Sequence, residues 1–106
     1  MAFPRPSTDD EYQSIFDSLA TGPNLVVVKF TAEWCHICQK IQPDLEKFAQ
    51  EYPVNFIVFD LDVLTHEDGE NVKAPPTFKI FKGGDCVAAF AGANMNKLRE
   101  LVTKYQ

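Results

Sequence analysis

Hydrophobic positions near the start of the chain recur at the spacing of a helix. The apolar stripe has an i, i+3, i+4, i+7 pattern and consists of Tyr12, Ile15, Phe16 and Leu19. Thr8 and Glu11 have the spacing of a capping box, and Gly22-Pro23 follows as a stop signal. The pattern therefore predicts a helix over about residues 9–20.

Two nearly continuous apolar runs, at 24–31 and 54–61, are typical of strands that are covered on both faces of a sheet. A second helix is predicted between them, ending near residue 51. Its apolar stripe consists of Ile37, Ile41, Leu45, Phe48, Ala49 and Tyr52. Pro43 lies inside this helix and should kink it, because proline lacks the N–H that the backbone ladder needs.

The second half of the chain begins with a polar segment, 63–73, which predicts a loop with at most one or two helical turns. The runs 77–82 and 86–90 flank Gly83-Gly84 and indicate an antiparallel hairpin. A final amphipathic helix is marked by Leu98, Leu101, Val102 and Tyr105.

The order of these elements predicts a single α/β domain over residues 1–106. A parallel βαβ unit carries the hairpin, and helices cover both faces of the sheet. We expect a mixed, mostly parallel sheet of four to five strands with about four helices. The first eight residues hold two prolines and are expected to form an extended lead-in or a short edge strand.

Composition narrows the classes of partner. The chain of 106 residues has a net charge of −5, which argues against nucleic acid or an anionic membrane as the main partner. Neither a membrane-spanning run nor the apolar core of a signal peptide is visible in the sequence. We therefore expect a cytoplasmic location, where a CxxC motif is more often redox-active or metal-binding than structural.

Cys35 and Cys38 stand where the first strand meets the second helix. Unsatisfied N–H groups there favour a thiolate, so one cysteine is a candidate nucleophile and the other its resolving partner. CxxC also suits zinc, but it gives only two ligands and the chain has no second close Cys/His pair, so we predict no metal. Cys86 is interpreted as a small hairpin residue, with a regulatory or dimer-forming thiol as the alternative.

The motif Trp34-Cys35-x-x-Cys38, with Pro43 in the next helix and the pair Pro76-Thr77 before a strand, closely resembles thioredoxins over essentially the whole chain, and Gly92 before the last helix fits as well. The resemblance implies a thioredoxin fold and a cis peptide bond before Pro76, which would lie against the two sulfurs. It also implies that a substrate binds at Trp34, Pro75, Pro76, Thr77 and Gly92. Packing remains an alternative role for Trp34.

The resemblance implies thiol–disulfide exchange. Cys35, as a thiolate, would attack a disulfide of a partner protein, and Cys38 would then release the reduced partner by forming a Cys35–Cys38 bridge. A separate reductase, such as thioredoxin reductase or a glutathione-linked system, would restore the dithiol. No cofactor beyond this disulfide is implied.

Two departures from the thioredoxin pattern concern charge. His36-Ile37 replace the usual Gly-Pro, and a protonated imidazole would favour the Cys35 thiolate. Lys29 stands where thioredoxins usually carry a buried Asp, and Asp60 stands where some have Lys. We hypothesise a charge-swapped Lys29–Asp60 pair that favours thiolates and makes the cysteine pair more oxidising. The alternatives are that His36 points to water and that Lys29 reaches the rim without effect.

Two further departures concern docking. Pro75 has no N–H to offer a substrate strand, so one main-chain hydrogen bond is missing. The segment 63–73 is a few residues shorter than its counterpart in thioredoxins, which affects docking of a reductase. These features leave a weakly catalytic, thioredoxin-like adaptor as the alternative function, although both cysteines are present.

Overall fold

The computed structural model describes residues 3–106, which contain a four-stranded mixed sheet in the order β2-β1-β3-β4. The strands are β1 (Leu25–Thr31), β2 (Val54–Asp60), β3 (Thr77–Lys82) and β4 (Asp85–Ala91). The mixed sheet is as predicted, but the expectation of mostly parallel pairing is wrong. Only β1 and β2 pair in parallel, whereas β1–β3 and β3–β4 are antiparallel. The chain between β2 and β3 stays at the end of the sheet where β2 stops, so β3 returns in the opposite direction.

The helices are α1 (Asp9–Ala20), α2 (His36–Lys40), α3 (Gln42–Glu51) and α4 (Met95–Tyr105). The predicted start of α1 is confirmed, because Thr8 Oγ1 accepts a hydrogen bond of 3.1 Å from the Glu11 N–H. The predicted helix with a kink at Pro43 is instead two helices, because α2 ends at Lys40, α3 begins at Gln42 and Pro43 lies in the first turn of α3. Because α2 and α3 follow one another directly, three helical bodies flank the sheet. The segment 63–73 contains one short 3₁₀ helix, Glu67–Gly69.

Two hydrophobic clusters cover the two faces of the sheet. On one face, Tyr12 and Phe16 of α1 pack against buried residues that include Val26, Val28 and Phe30 of β1. On the other face, α3 and α4 pack over the alternate positions of β1 together with β2 and β3. All seven residues of β1 are buried, as its nearly continuous apolar pattern predicted. The strand is thus held from both sides and carries the residues that follow it to a defined position.

The segment before α1 lies along β2 as an extended lead-in. Pro4 accepts a hydrogen bond of 2.9 Å from the Val58 N–H, and the Phe3 ring stacks on Phe56 with centroids 4.6 Å apart. This single backbone bond does not make an additional strand of residues 3–8, so the sheet that the structure describes has four strands. Residues 1 and 2 of the predicted lead-in lie outside the described residues. The path of the segment brings Arg5 to the end of the sheet where β1 and β2 stop.

Candidate active site

Cys35 and Cys38 are joined by a disulfide at the junction of β1 and α2. The chain leaves β1 through a turn closed by a 3.0 Å hydrogen bond from the Cys35 N–H to the Ala32 carbonyl. Cys35 is the N-cap residue of α2, and Cys38 lies in the first turn, with a Cα–Cα distance of 5.3 Å. Cys35 is 5% exposed and Cys38 is 0% exposed. Both residues are buried, but Cys35 keeps a small exposed fraction through which a partner can reach it, whereas Cys38 has none.

Cys35 Sγ has one neighbouring group that can hydrogen-bond its thiolate form and another that can hydrogen-bond its thiol form. The Cys38 N–H donates to Cys35 Sγ over 3.3 Å, an interaction that stabilises a thiolate. The Pro75 carbonyl oxygen lies 3.6 Å from the same sulfur and could accept the proton of the thiol. The structure therefore brings the Pro75 carbonyl to Cys35 Sγ, whereas the resemblance had implied that Pro76 lies against the sulfurs.

The loop opposite the disulfide is held by its own backbone. The Pro75–Pro76 bond is cis, as the resemblance implied, and Pro76 is buried. The Pro76 carbonyl accepts a 2.8 Å hydrogen bond from the N–H of Gly92, a residue with φ +102°, where glycine is favoured. Thr77 is buried, and its Oγ1 donates to the Ala74 carbonyl over 2.8 Å. These contacts place Pro75, Pro76, Thr77 and Gly92 in one hydrogen-bonded unit.

Apolar side chains stand on the surface on both sides of Cys35. Trp34 is 64% exposed and Ile37 is 48% exposed. The packing alternative for Trp34 is therefore wrong, because the indole lies at the surface rather than in the core. His36 is exposed as well. An exposed apolar pair beside a reactive sulfur is suited to contact with another protein.

Lys29 is buried beneath the disulfide, with 3% exposure. Its Nζ donates to the Cys38 carbonyl and to Gln42 Oε1, both over 2.8 Å. The pKa of Lys29 is lowered from 10.5 to about 8, mainly by burial and also by the positive charge of Arg5, while Glu46 acts in the opposite direction. The alternative in which Lys29 reaches the rim is wrong.

The proposed Lys29–Asp60 pair is also wrong. Asp60 Oδ2 instead lies 3.3 Å from Arg5 Nη2, and Asp60 Oδ1 accepts the Asp62 N–H over 2.9 Å. The register explains the difference, because Lys29 is paired with Val58, while Asp60 is paired with Thr31, nearer the end of the sheet. The N-terminal segment reaches that end and supplies the cation.

A cavity of about 450 Å³ opens beside Lys29 and Cys38. Its polar lining comes from several elements and consists of Arg5, Lys29, Thr31, Glu33, Gln39, Gln42 and Glu46. Sequence reasoning missed Arg5, Gln42 and Glu46 here. Gln42 follows Cys38 by four residues, a helical spacing that could have indicated a shared face. The position of Arg5 depends on the path of the N-terminal segment and has no local signal.

The remaining candidate residues lie apart from this site or form no cluster. Cys86 is a free, exposed thiol on β4, as expected for a hairpin residue. Within residues 3–106, no group of three or more His, Cys, Asp or Glu side chains could hold a metal ion. None of the helices in that range is long and apolar enough to cross a membrane.

The site is a CxxC disulfide at a strand–helix junction, opposite the loop that holds the buried Pro76. One cysteine is slightly exposed and the other is fully buried. This arrangement defines a thiol–disulfide oxidoreductase. Comparisons with known proteins agree with this class. The family model "Thioredoxin" matches residues 5–104. The chain belongs to the thioredoxin family.

Individual relatives cover most of the chain. It is 39% identical to thioredoxin 1 of Plasmodium falciparum over 95 residues, which are 88% of this chain and 91% of that protein. It is 41% identical to thioredoxin-1 of Saccharomyces cerevisiae over 91 residues, covering 84% and 88% of the two chains. The structure of Fasciola hepatica thioredoxin has a TM-score of 0.85 at 34% identity, covering 98% of this chain and 100% of that one.

The family and the disulfide together show what kind of chemistry the chain performs. It is a protein-disulfide oxidoreductase that works through the Cys35–Cys38 pair. Thioredoxins use this disulfide without an external cofactor, and in general they act on disulfide substrates and are served by a reductase.

Proposed function

We propose that Cys35 is the nucleophile and Cys38 the resolving thiol in the reduction or exchange of protein disulfides. The observation that carries this assignment is the difference in exposure between the two residues. Cys35 Sγ also accepts a hydrogen bond from the Cys38 N–H, which stabilises the thiolate that must attack. Cys38 has no access to a large partner until that partner is bonded to Cys35.

The reaction proceeds in two exchanges. The Cys35 thiolate attacks one sulfur of a substrate disulfide; a mixed disulfide forms, and the other substrate sulfur leaves with the electron pair. The Cys38 thiolate then attacks Cys35 Sγ, which forms the Cys35–Cys38 bond and releases the second substrate sulfur as a thiolate. The substrate gains two electrons and the protein loses them.

The surface beside Cys35 is the proposed substrate site. Trp34 and Ile37 offer apolar contact area, while Pro76, Thr77 and Gly92 support the loop that carries Pro75. In our proposal, the Pro75 carbonyl accepts a main-chain hydrogen bond from an extended substrate segment. Because proline has no N–H, the return bond is missing, at a cost of about 1 kcal/mol in binding.

The reduction potential is proposed to lie above that of typical thioredoxins. Lys29 is mostly an ammonium at pH 7, since its pKa of about 8 is higher than that. A buried positive charge next to Cys38 favours thiolates and hence the reduced protein, which makes the disulfide more oxidising. When protonated, His36 adds to the same effect. Asp60 acts indirectly, by holding Arg5.

We also propose the electron donor, the compartment, the cofactor use and the domain organisation that belong to this reaction. The electron donor is a thioredoxin reductase or a glutathione-linked system, and the compartment is the cytoplasm. The chain uses its disulfide and no other cofactor, and residues 1–106 act as one domain. The two clusters that pack on one sheet support the last point.

Trapping of mixed disulfides tests the assignment of the cysteines. A Cys38→Ser variant should accumulate a covalent adduct with a disulfide-bonded test protein, whereas Cys35→Ser should not. A Cys86→Ser background removes the exposed third thiol. Equal trapping by both variants would contradict the assignment, and trapping by neither would favour the adaptor.

Equilibration with defined glutathione buffers tests the potential. We expect a value between about −270 mV, the value for thioredoxin, and about −200 mV, which glutaredoxins reach. Lys29→Met should return the potential towards the lower value. A wild-type potential at about −270 mV would mean that Lys29 and His36 have little electrostatic effect on the pair.

A further inference from the structure

Cys38 must lose a proton in a place where ionisation is difficult. Its side chain is completely buried, and burial disfavours a thiolate. The resolving step proposed above nevertheless needs the Cys38 thiolate in every cycle. A group close to Cys38 must therefore take up the proton.

The charged groups around Cys38 come from several elements. They are Arg5 of the N-terminal segment, Lys29 of β1, Glu33 of the following turn, Glu46 of α3 and Asp60 of β2. Arg5 and Asp60 are engaged with each other, and Glu33 lies exposed. Of these groups, Lys29 is the one hydrogen-bonded to Cys38, through the 2.8 Å bond to its carbonyl, and both residues line the same cavity.

We propose that Lys29 is the proton acceptor for Cys38 in the resolving step, acting through the cavity that the two residues share. The inference rests on the proposed function, because it concerns the second exchange of that reaction. This role of Lys29 differs from that of a fixed positive charge, which would stabilise a thiolate without receiving its proton. It gives the buried lysine a role in the rate of the reaction.

The step is balanced within the protein. Cys38 Sγ–H gives its proton to the neutral Nζ of Lys29, leaving a thiolate and an ammonium. The thiolate attacks Cys35 Sγ in the mixed disulfide, and the substrate sulfur leaves with the electron pair and takes a proton from water. The ammonium of Lys29 then returns its proton to solvent. The cavity of about 450 Å³ has room for the water that connects Sγ, Nζ and solvent.

The neutral amine is available at physiological pH because Lys29 is buried and close to Arg5. With a pKa of about 8, about one tenth of the molecules carry the amine at pH 7. The neutral amine has a free lone pair and can accept the proton of the thiol. Two such groups titrate as a coupled pair.

The resolving step can be timed with a symmetrical aromatic disulfide that releases a coloured thiolate. In a Cys86→Ser background, reduced protein releases one equivalent when Cys35 attacks and a second when Cys38 closes the bridge. Stopped-flow absorbance from about pH 6 to about pH 10 gives the rate of the second release. Release of only one equivalent by the parent protein would refute the proposed function itself, apart from any role of Lys29.

Three variants separate a proton acceptor from a fixed charge. Lys29→Met should slow the second release at pH 7 by at least about tenfold, with the difference shrinking towards pH 10. Lys29→Arg should be slow as well, because a guanidinium stays protonated. Lys79→Met is the matched control, since Lys79 Nζ also donates to a backbone carbonyl, that of Asp68, but on the other face of the sheet. Parental rates in Lys29→Met or in Lys29→Arg would overturn the inference.

A measurement on the unsubstituted chain covers the case in which buried variants fail to fold. The carbon-13 shift of Lys29 Cε is followed against pH in the disulfide and dithiol forms. We expect an inflection near pH 8 in the disulfide form, and in the dithiol form a rise of at least about one pH unit once Cys38 has ionised to a thiolate. Identical titration in the two forms would overturn the inference.

Discussion

Arg5 and Asp60 form an ion pair across 55 residues of sequence, with 3.3 Å between Nη2 and Oδ2. Asp60 is the carboxylate that we expected, from the sequence, to pair with Lys29. Lys29 is left with two neutral acceptors, the Cys38 carbonyl and the Gln42 amide oxygen. A buried ammonium without a carboxylate in contact is poorly stabilised, which explains why the pKa of Lys29 falls to about 8.

Removing Arg5 should therefore raise the pKa of Lys29 above about 8. The positive charge of Arg5 contributes to the lowered value, and its loss also frees the negative charge of Asp60. The test is the carbon-13 titration of Lys29 Cε in the disulfide form of Arg5→Met. Arg99→Met, which removes an exposed arginine bonded to Asn96, should leave the titration unchanged. An unchanged or lower pKa of Lys29 in Arg5→Met would contradict this account.

The reduction potential should fall more steeply with pH above about 8 than just below it. The curve steepens wherever the oxidised form alone loses a proton, and oxidised Lys29 does so at about pH 8. In the reduced form, a neighbouring thiolate holds the Lys29 proton to higher pH. One extra proton per two electrons adds about 30 mV per pH unit to the slope.

Glutathione equilibria between about pH 7 and about pH 9 measure this slope. Lys29→Met should show no steepening, because cysteine ionisation in the reduced form can only make the curve shallower. A wild-type curve without a steeper limb would mean that the Lys29 pKa is the same in both redox states. That result would remove the electrostatic link between Lys29 and the sulfurs.

The sequence was sufficient for the elements and for the reactive pair. Local signals such as the Thr8 cap, the nearly continuous apolar pattern of β1 and the CxxC motif depend on neighbouring residues only. The break around Ile41 followed from the missing N–H of Pro43, which is local too. The direction of β3 was not fully predicted, because it depends on where the preceding connection lies in space.

The surroundings of Lys29 could not be predicted in the same way. Lys29 and Asp60 lie in adjacent strands. The register of these strands nevertheless pairs Asp60 with Thr31, near the end of the sheet. Arg5, the cation that pairs with Asp60, belongs to a segment without regular structure. The hydrogen bond from β2 to the Pro4 carbonyl and the stacking of Phe3 on β2 hold this segment in place. Tertiary placement of this kind leaves no periodic pattern in a single sequence.

Gly69 has a packing role that a methyl group would disturb. A Cβ at this position would lie 2.8 Å from Cε1 of Phe59, whose ring is fully buried and packs against Tyr12 and Phe30. Because the ring is fully buried and must shift against Tyr12 and Phe30, Gly69→Ala should destabilise the protein by about 1–3 kcal/mol. The free energy of unfolding in urea, measured on the disulfide form, checks this value.

Gly22→Ala is the matched control for that substitution. Its Cβ would meet the Leu19 carbonyl at 3.4 Å, an ordinary contact, at an exposed site. The change in unfolding free energy should stay within about 0.5 kcal/mol. Equal effects of the two substitutions would show that contact with Phe59 does not determine the cost at Gly69.

Asp9 ties the start of α1 to the loop before β3. Its carboxylate accepts the Thr65 N–H over 2.9 Å, the His66 N–H over 3.1 Å and the Thr65 hydroxyl over 2.6 Å. These bonds favour the charged form and lower the pKa of Asp9 below 3.8, with the Thr65 hydroxyl as the largest cause. A carboxyl whose pKa is lowered by folding stabilises the protein above its unfolded pKa and loses that effect as the pH falls through the folded pKa.

Asp9→Ala should therefore reduce stability near neutral pH, and the difference from wild type should shrink as the pH falls from about 4 through the lowered pKa of Asp9. Urea unfolding across this range gives the pH dependence, and hydrogen exchange at neutral pH should show faster exchange at the Thr65 and His66 amides. Asp10→Ala is the matched control, because Asp10 lies exposed in the same first turn and has the same helix-dipole effect. If Asp10→Ala gives the same pH profile and the same loss of protection, the effect belongs to the helix dipole and not to the bonds with Thr65 and His66.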